Sequence, residues 1–230
     1  MLLSPDDHRR IAQATVEAEA TTRGEFVCVI ADEASSYVEV SLAWGAAVAL
    51  VAPVFLIVFI SATHLEDSFG GWRAAHIAAN HNPVTLMLST YAVAQGLLFV
   101  VIALLASIPV IRRALTPASL KRGHVRQRAL EQFFARDLHK THERTGVLIY
   151  TSLKDRCAEV IADIGINAKV DPKAWDEVIA ALVAGMRAGK PGNGFVSAIE
   201  KSGRLLATHF PAQGTNPNEL PDGIIETASP

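Results

Sequence analysis

The sequence is short of charge, of cysteine and of glycine-rich phosphate loops. Only 19% of the 230 residues are charged and 50% are apolar, an unusually apolar composition for a soluble protein of this length. The two cysteines, Cys28 and Cys157, lie in apolar runs and are interpreted as reduced, buried thiols rather than as a disulfide. The sequence lacks the motifs of the common nucleotide-binding loops, which are GxxxxGK[ST], GxGxxG and DxD after a strand.

The apolar residues are concentrated in two uncharged runs, Ser41–Thr63 and Val84–Ile111. Each is long enough for a helix that crosses a hydrocarbon core of ~30 Å. A pair of buried core helices is the alternative, but such helices are usually shorter and carry a polar face. The first run follows a charged segment and has no cleavage site, so it is not a signal peptide. The sequence therefore predicts a transmembrane helical hairpin.

Several basic residues follow the second run, whereas Arg73 is the only lysine or arginine in the segment between the runs. The positive-inside rule then places both termini in the cytoplasm and the connecting loop outside. We expect the basic block to meet anionic lipid headgroups, and we do not expect nucleic-acid binding, because topology already explains the charges. The block comprises Arg112, Arg113, Lys121, Arg122, Arg126 and Arg128.

Outside the runs, the pattern predicts an α/β domain that is split in sequence and has three layers. Ser4-Pro5 and Asp171-Pro172 are typical helix starts. GVLIYTS from Gly146 is predicted to be parallel to the strand Glu25–Ala31, and CAEVIAD from Cys157 antiparallel to GVLIYTS. Further helices are predicted over 4–22, 125–138, 173–189 and 194–208.

The predicted organisation has six segments. The first and second parts of the α/β domain flank the membrane hairpin, and a flexible tail follows. The segments are 1–40 (first part of the domain), 41–63 (first span), 64–83 (external loop), 84–111 (second span), 112–211 (second part) and 212–230 (tail).

Several stretches together resemble the TPM-domain family, named for a thylakoid lumen phosphatase and its relatives. They are TRGEFVCVIAD (22–32), LEQFFARDL, RTGVLIYTSLKDRCAEVIADIGI (144–166), the Asp-Pro-capped helix with Trp175, and PNELPD in the tail. The resemblance is closer still to a bacterial subgroup of membrane proteins in which a transmembrane hairpin splits the domain. The resemblance implies a Rossmann-like three-layer sandwich at the bacterial inner membrane. It also implies one of the family's roles: acid phosphatase, calcium binder, assembly factor or receptor accessory protein.

Polar residues follow both parallel strands, at the carboxyl edge where α/β sheets bind ligands. Asp32 and Asp155 are the candidate catalytic residues, and the same residues also suit ordinary turns. The relatives' GxGLE-like turn is replaced here by DIGIN (163–167), so that loop does not imply metal binding or hydrolysis. The candidate ligand-binding residues are Ser35, Thr151, Ser152 and Arg156.

Two histidine groups are weaker metal candidates, and no metal ligand is assigned. His139 and His142 lie three residues apart beside Glu143, and both also suit a helix C-terminus. Neither cysteine suits a nucleophile, because burial in apolar surroundings suppresses thiolate formation. No Ser-His-Asp order is recognisable. The second group, between the runs, comprises His64, His76 and His81 with Glu66 and Asp67.

The sequence thus predicts an integral membrane protein with a binding, accessory or assembly role at the inner membrane. The alternative is a metal-assisted phosphatase that uses calcium or magnesium at the carboxyl edge. The expected partners are the lipid bilayer and either another membrane protein or a second copy of the chain. Transport is disfavoured because neither run carries an ionisable residue.

Overall fold

The computed structural model describes residues 2–63, 83–141, 143–212 and 219–227. The external loop 64–83 falls almost entirely outside these ranges, together with its histidines. Numbered in chain order, the helices are α1 (Pro5–Glu19), α2 (Val38–Thr63), α3 (Pro83–Ser107), α4 (Pro109–Leu115), α5 (Ala118–Ala135), α6 (Ile164–Asn167), α7 (Asp176–Arg187) and α8 (Pro191–His209). The strands are β1 (Glu25–Ala31), β2 (Gly146–Ser152), β3 (Cys157–Ala162) and β4 (Ile225–Thr227).

The strands form one mixed sheet in the order β3-β2-β1-β4. β1 and β2 are parallel along their whole length, from Glu25 opposite Gly146 to Ala31 opposite Ser152. β3 is antiparallel to β2, with Cys157 opposite Ser152. The predictions of a mixed α/β fold, of the parallel pair and of the antiparallel third strand are confirmed.

Helices cover both faces of this sheet, which explains why β1 and β2 are apolar without alternation. Side chains from α1, α7 and α8 pack on one face, against Phe26, Cys28 and Ile30 of β1. α5 packs on the other face, where Phe133 joins Val27 in a second cluster.

The helix starts follow from local chemistry. Ser4 accepts the backbone N–H of Asp7 at 3.1 Å, and Asp7 accepts the N–H of Ser4 in return, so two free donors of the first turn are satisfied. Asp171 accepts the N–H of Lys173 at 2.9 Å and begins the turn Pro172–Trp175 ahead of α7. Both predicted caps are confirmed.

Two expectations from the sequence are wrong in detail. The helix predicted over 125–138 begins earlier, because α5 already starts at Ala118 and continues through Gly123. The tail is not structureless throughout, because β4 pairs in parallel with Val29–Ala31 of β1. Ile224 is buried in the core beside it.

The chain divides into two compact units, residues 1–36 with 118–230 and residues 37–117. The second unit contains α2, α3 and α4, and α2 packs along α3. The Ser41 hydroxyl donates to the carbonyl of Ala106 at 3.0 Å, and the Trp44 indole N–H donates to the carbonyl of Leu115 at 3.4 Å. Two helices of this unit are long and apolar enough to cross a membrane, over Val38–Leu56 and Val84–Ser107.

Candidate functional site

Asp155 lies buried in the turn between β2 and β3, at the carboxyl edge of the sheet. Its Oδ2 accepts the Ser152 hydroxyl at 2.6 Å and the backbone N–H of Ala34 at 2.9 Å. One carboxylate thus ties the segment after β1 to the end of β2. Its Oδ1 is buried and has no hydrogen-bond partner among the described residues. Asp155 is therefore held in place by the fold and keeps one oxygen for a further donor.

Asp32 lies at the same edge but has a different partner. The Lys154 ammonium donates to the Asp32 carboxylate at 2.5 Å, and the backbone N–H of Lys154 donates to the Asp32 carbonyl at 2.9 Å. The ion pair is partly exposed, so water screens it. Asp32 is thus engaged by a lysine of the β2–β3 turn, which sequence reasoning did not identify.

The predicted ligand-binding residues differ in accessibility. Ser152 is fully buried and committed to Asp155, while Thr151 is buried with an Oγ1 that has no partner in the described part of the chain. Ser35 is half-buried and Arg156 is exposed. Arg156 has a φ of 52°, in the left-handed region that glycine and asparagine adopt at lower cost. The carboxyl edge therefore combines buried, hydrogen-bonded side chains, Ser152 and Asp155, with the exposed guanidinium group of Arg156.

The described residues do not supply a complete divalent-cation site at this edge. Calcium takes six to eight oxygen ligands, and magnesium prefers six. Among the predicted site residues, the unshared buried oxygens are Asp155 Oδ1 and Thr151 Oγ1. Among the residues that the structure describes, no group of three or more His, Cys, Asp or Glu side chains is arranged to hold a metal ion.

Neither thiol is activated. Burial raises the pKa of Cys28 far above its ordinary value, and the nearby Glu19 raises it further. Cys157 is half-buried rather than buried as predicted, and both cysteines are free. Burial and Asp155 raise the pKa of the Cys157 thiol, while Arg122 and Lys121 lower it. Both thiols are therefore poor nucleophiles at neutral pH.

The DIGIN segment lies at the opposite, amino edge of the sheet. Asp163 caps the short α6 by accepting the N–H of Ile164 at 2.7 Å. A side chain at Gly165 would come within 2.6 Å of the Arg144 carbonyl oxygen, so glycine is needed for close backbone packing. DIGIN therefore forms a structural turn at this edge.

The histidine candidates gain no support as a metal site. His142, His64, His76 and His81 all lie outside the described residues, as do Glu66 and Asp67. Glu143 is engaged by Arg23, with 2.6 Å between Nη1 and Oε2.

The buried carboxyl group of Glu19 was not identified from the sequence. Glu19 is only 5% exposed, accepts the N–H of Phe26 at 2.8 Å, and shares a hydrogen bond with the side chain of Asp222 in the tail. Burial raises the pKa of Glu19 to about 8 despite the Phe26 bond, and the charges of Glu25 and Asp222 raise it further. Helical spacing offered a signal, because Glu19 continues the buried row of Ile11 and Thr15.

Comparisons with known proteins agree with this architecture. The TPM domain family matches residues 111–205. The NMR structure of the BA42 protein from the psychrophilic bacterium Bizionia argentinensis has a similar fold, with a TM-score of 0.55 and 19% identity over 98% of this chain and 95% of that one. No curated protein matches the sequence. The chain thus contains a region, residues 111–205, that matches the TPM domain family.

Proposed function

We propose that this chain is an integral protein of the bacterial inner membrane, in which a two-helix hairpin anchors a cytoplasmic TPM domain with a binding or accessory role. The observation that carries the anchor is the exposure of large apolar side chains on both long helices. Leu50, Phe55 and Leu104 are 64%, 69% and 66% exposed. A buried core helix of a soluble protein would not present such a surface, whereas lipid would cover it.

The same reasoning supports the proposed orientation. Arg112 and Arg113 lie in the last turn of α4, just after the second apolar helix. The segment between the two helices contains a single basic residue, Arg73. This asymmetry favours a cytoplasmic location for both termini and for the domain.

The geometry of the carboxyl edge supports binding rather than hydrolysis. Asp32 is paired with Lys154, and Asp155 accepts two internal hydrogen bonds. A carboxylate that serves as a general base or metal ligand needs its oxygens directed at the substrate or ion. Here the three hydrogen bonds named for these two side chains all stay inside the protein, on Asp32 Oδ2 and Asp155 Oδ2.

A metal-assisted phosphatase is the second candidate, and one observation favours it. Asp155 Oδ1 and Thr151 Oγ1 are buried oxygens with no partner among the described residues. Such atoms are more stable with a cation, a water molecule or a donor from a ligand. Calcium or magnesium is the cofactor that this candidate would require.

Phosphate release from a generic phosphomonoester distinguishes the two candidates. We expect the detergent-purified chain to release no phosphate with calcium, magnesium or manganese. Turnover that disappears in Asp32→Asn and in Asp155→Asn, but persists in Asp6→Asn, would establish the phosphatase instead. Asp6 is a suitable control because it is an exposed acid of α1 that pairs with Arg9 of the same helix.

The anchor is tested separately. After alkaline carbonate extraction the chain should stay in the membrane fraction, and release into the supernatant would refute integration. A reporter fused at residue 75 should behave as periplasmic and one fused after Pro230 as cytoplasmic. A fusion at Ile225 would interrupt β4 and should be avoided.

A further inference from the structure

Two exposed arginines at the carboxyl edge have no ion pair or side-chain hydrogen bond within the described residues. Arg156 lies in the β2–β3 turn, and Arg122 lies in the second turn of α5. The neighbouring arginines of α5 are engaged, because Arg126 pairs with Glu159 and Arg128 pairs with Glu131. Arg122 and Arg156 therefore remain available for an external anion.

The structure brings these two residues to the same edge of the sheet. Cys157 follows Arg156 directly and lies opposite Ser152, at the carboxyl end of β2. Arg122 and Lys121 are near enough to Cys157 for their charges to act on its thiol. Lys154 belongs to the same turn as Arg156. We call Lys121, Arg122, Lys154 and Arg156 the basic edge.

Both connections between the domain and the hairpin leave close to the basic edge. Ser36 follows Ala34, which is bonded to Asp155, and α2 begins at Val38. Ala118 opens α5, and α4 ends at Leu115. Electrostatic attraction reaches about 8 Å at physiological ionic strength, and a long basic side chain extends that reach.

We infer that the basic edge binds the phosphate groups of anionic lipids in the membrane that anchors the chain. This inference rests on the proposed membrane anchor. A guanidinium makes two parallel hydrogen bonds to a phosphate, and each cation near an anionic bilayer strengthens binding by about fivefold. Acids at this edge offset part of the positive charge, since Asp32 pairs with Lys154 and Asp155 and Glu33 are buried nearby, so the guanidinium groups of Arg122 and Arg156 carry the interaction. Lys121 and Arg122 follow the 37–117 unit by a few residues in the chain, which favours a lipid over a phosphate dissolved in the cytoplasm.

The test uses the full chain in nanodiscs made either of phosphatidylcholine or of equal parts phosphatidylcholine and phosphatidylglycerol. Hydrogen exchange is measured for the peptide that covers Leu153–Cys157. We expect exchange to slow by about fivefold or more in the anionic discs and to recover at high salt. The double variant Arg122→Gln/Arg156→Gln should lose this difference, since both positions are exposed and tolerate the change.

The matched control removes the same charge elsewhere. Arg187 and Arg204 are exposed on α7 and α8 and make no side-chain ion pair within the described ranges. Arg187→Gln/Arg204→Gln should keep the lipid-dependent protection. Equal exchange in both kinds of disc, or equal loss in both double variants, would overturn the inference. Slowing by dissolved inorganic phosphate in neutral discs would do the same. Failure of the chain to enter discs at all would refute the anchor instead.

Discussion

Replacing Glu19 by glutamine should make the stability of the domain much less dependent on pH. The Glu19 carboxyl is buried against the N–H of Phe26 and the side chain of Asp222. Glutamine can accept the same N–H and can donate to Asp222, so it mimics the protonated acid without titrating. The variant therefore isolates the effect of the proton from the effect of the packing.

The magnitude follows from the pKa of Glu19, which burial raises from 4.5 to about 8. Between these values the folded chain holds a proton that the unfolded chain has lost. The free energy of unfolding must then fall as the pH rises, by about 1.4 kcal/mol per pH unit. The stabilisation is complete below pH about 4.5 and is lost by pH about 8, for a total of at most about 5 kcal/mol. That is a large part of the 5–15 kcal/mol typical of a domain.

Hydrogen exchange of the β1 peptide, Glu25–Ala31, measures this effect in the full chain. Protection factors corrected for intrinsic exchange should fall by up to about tenfold per pH unit between pH 5 and pH 8 in the parent chain. They should stay nearly constant in Glu19→Gln. Glu17→Gln, an exposed change on the same helix, should follow the parent chain. Protection that is flat or rises in the parent, or falls equally in Glu19→Gln, would refute the reasoning.

Three further predictions concern packing, thiols and the tail. Gly185→Ala should lower the free energy of unfolding by about 1–3 kcal/mol in urea titration, because a side chain there would lie 2.5 Å from the Gly194 Cα. The control Gly123→Ala places its methyl group in open space and should raise the free energy of unfolding by up to about 1 kcal/mol. Maleimide should label Cys157 before Cys28 in the native chain, since burial raises the pKa of Cys28 far more, and prior labelling of Cys28 would contradict this. Glu226→Gln should lower the free energy of opening of β4 by about 1–2 kcal/mol, because Glu226 accepts the N–H groups of Leu2 and Leu3 and contacts His8. Hydrogen exchange at Ile225–Thr227 measures this, and the control Glu200→Gln on α8 should leave that exchange unchanged.

The sheet's centre was predictable because its signals are local. β1 and β2 are uninterrupted apolar runs, and Ser4 and Asp171 carry cap chemistry within a few residues. β4 was not predictable by the same means, since Ile-Glu-Thr is too short to show a period. Its position depends on Glu226 reaching the first residues of the chain and on β1, both some two hundred residues away. Such long-range contacts leave no trace in a local pattern.

The candidate site shows the same division. The rule that ligands bind at the carboxyl ends of parallel strands brought Asp32, Ser152 and Asp155 to one edge. The sequence did not show which oxygens are already used, because that depends on where Ala34 and Lys154 direct their N–H groups. Residue type and spacing identify the edge of a sheet, while hydrogen bonding decides how much of that edge is left for a ligand.

The hairpin also bears on how the split domain assembles. β1 and β2 must pair in parallel although the whole 37–117 unit separates them in sequence. Closing a flexible loop of that length costs entropy, which grows slowly with length but is large in total. Within the hairpin unit, the bonds from Ser41 to Ala106 and from Trp44 to Leu115 hold the beginning of α2 beside the end of α3 and α4. Once the hairpin forms, its two ends emerge together and most of that closure is complete. We therefore expect pairing of β1 with β2 to follow formation of the hairpin. Loosening the hairpin ends by Ser41→Ala should slow refolding of the domain more than it speeds unfolding.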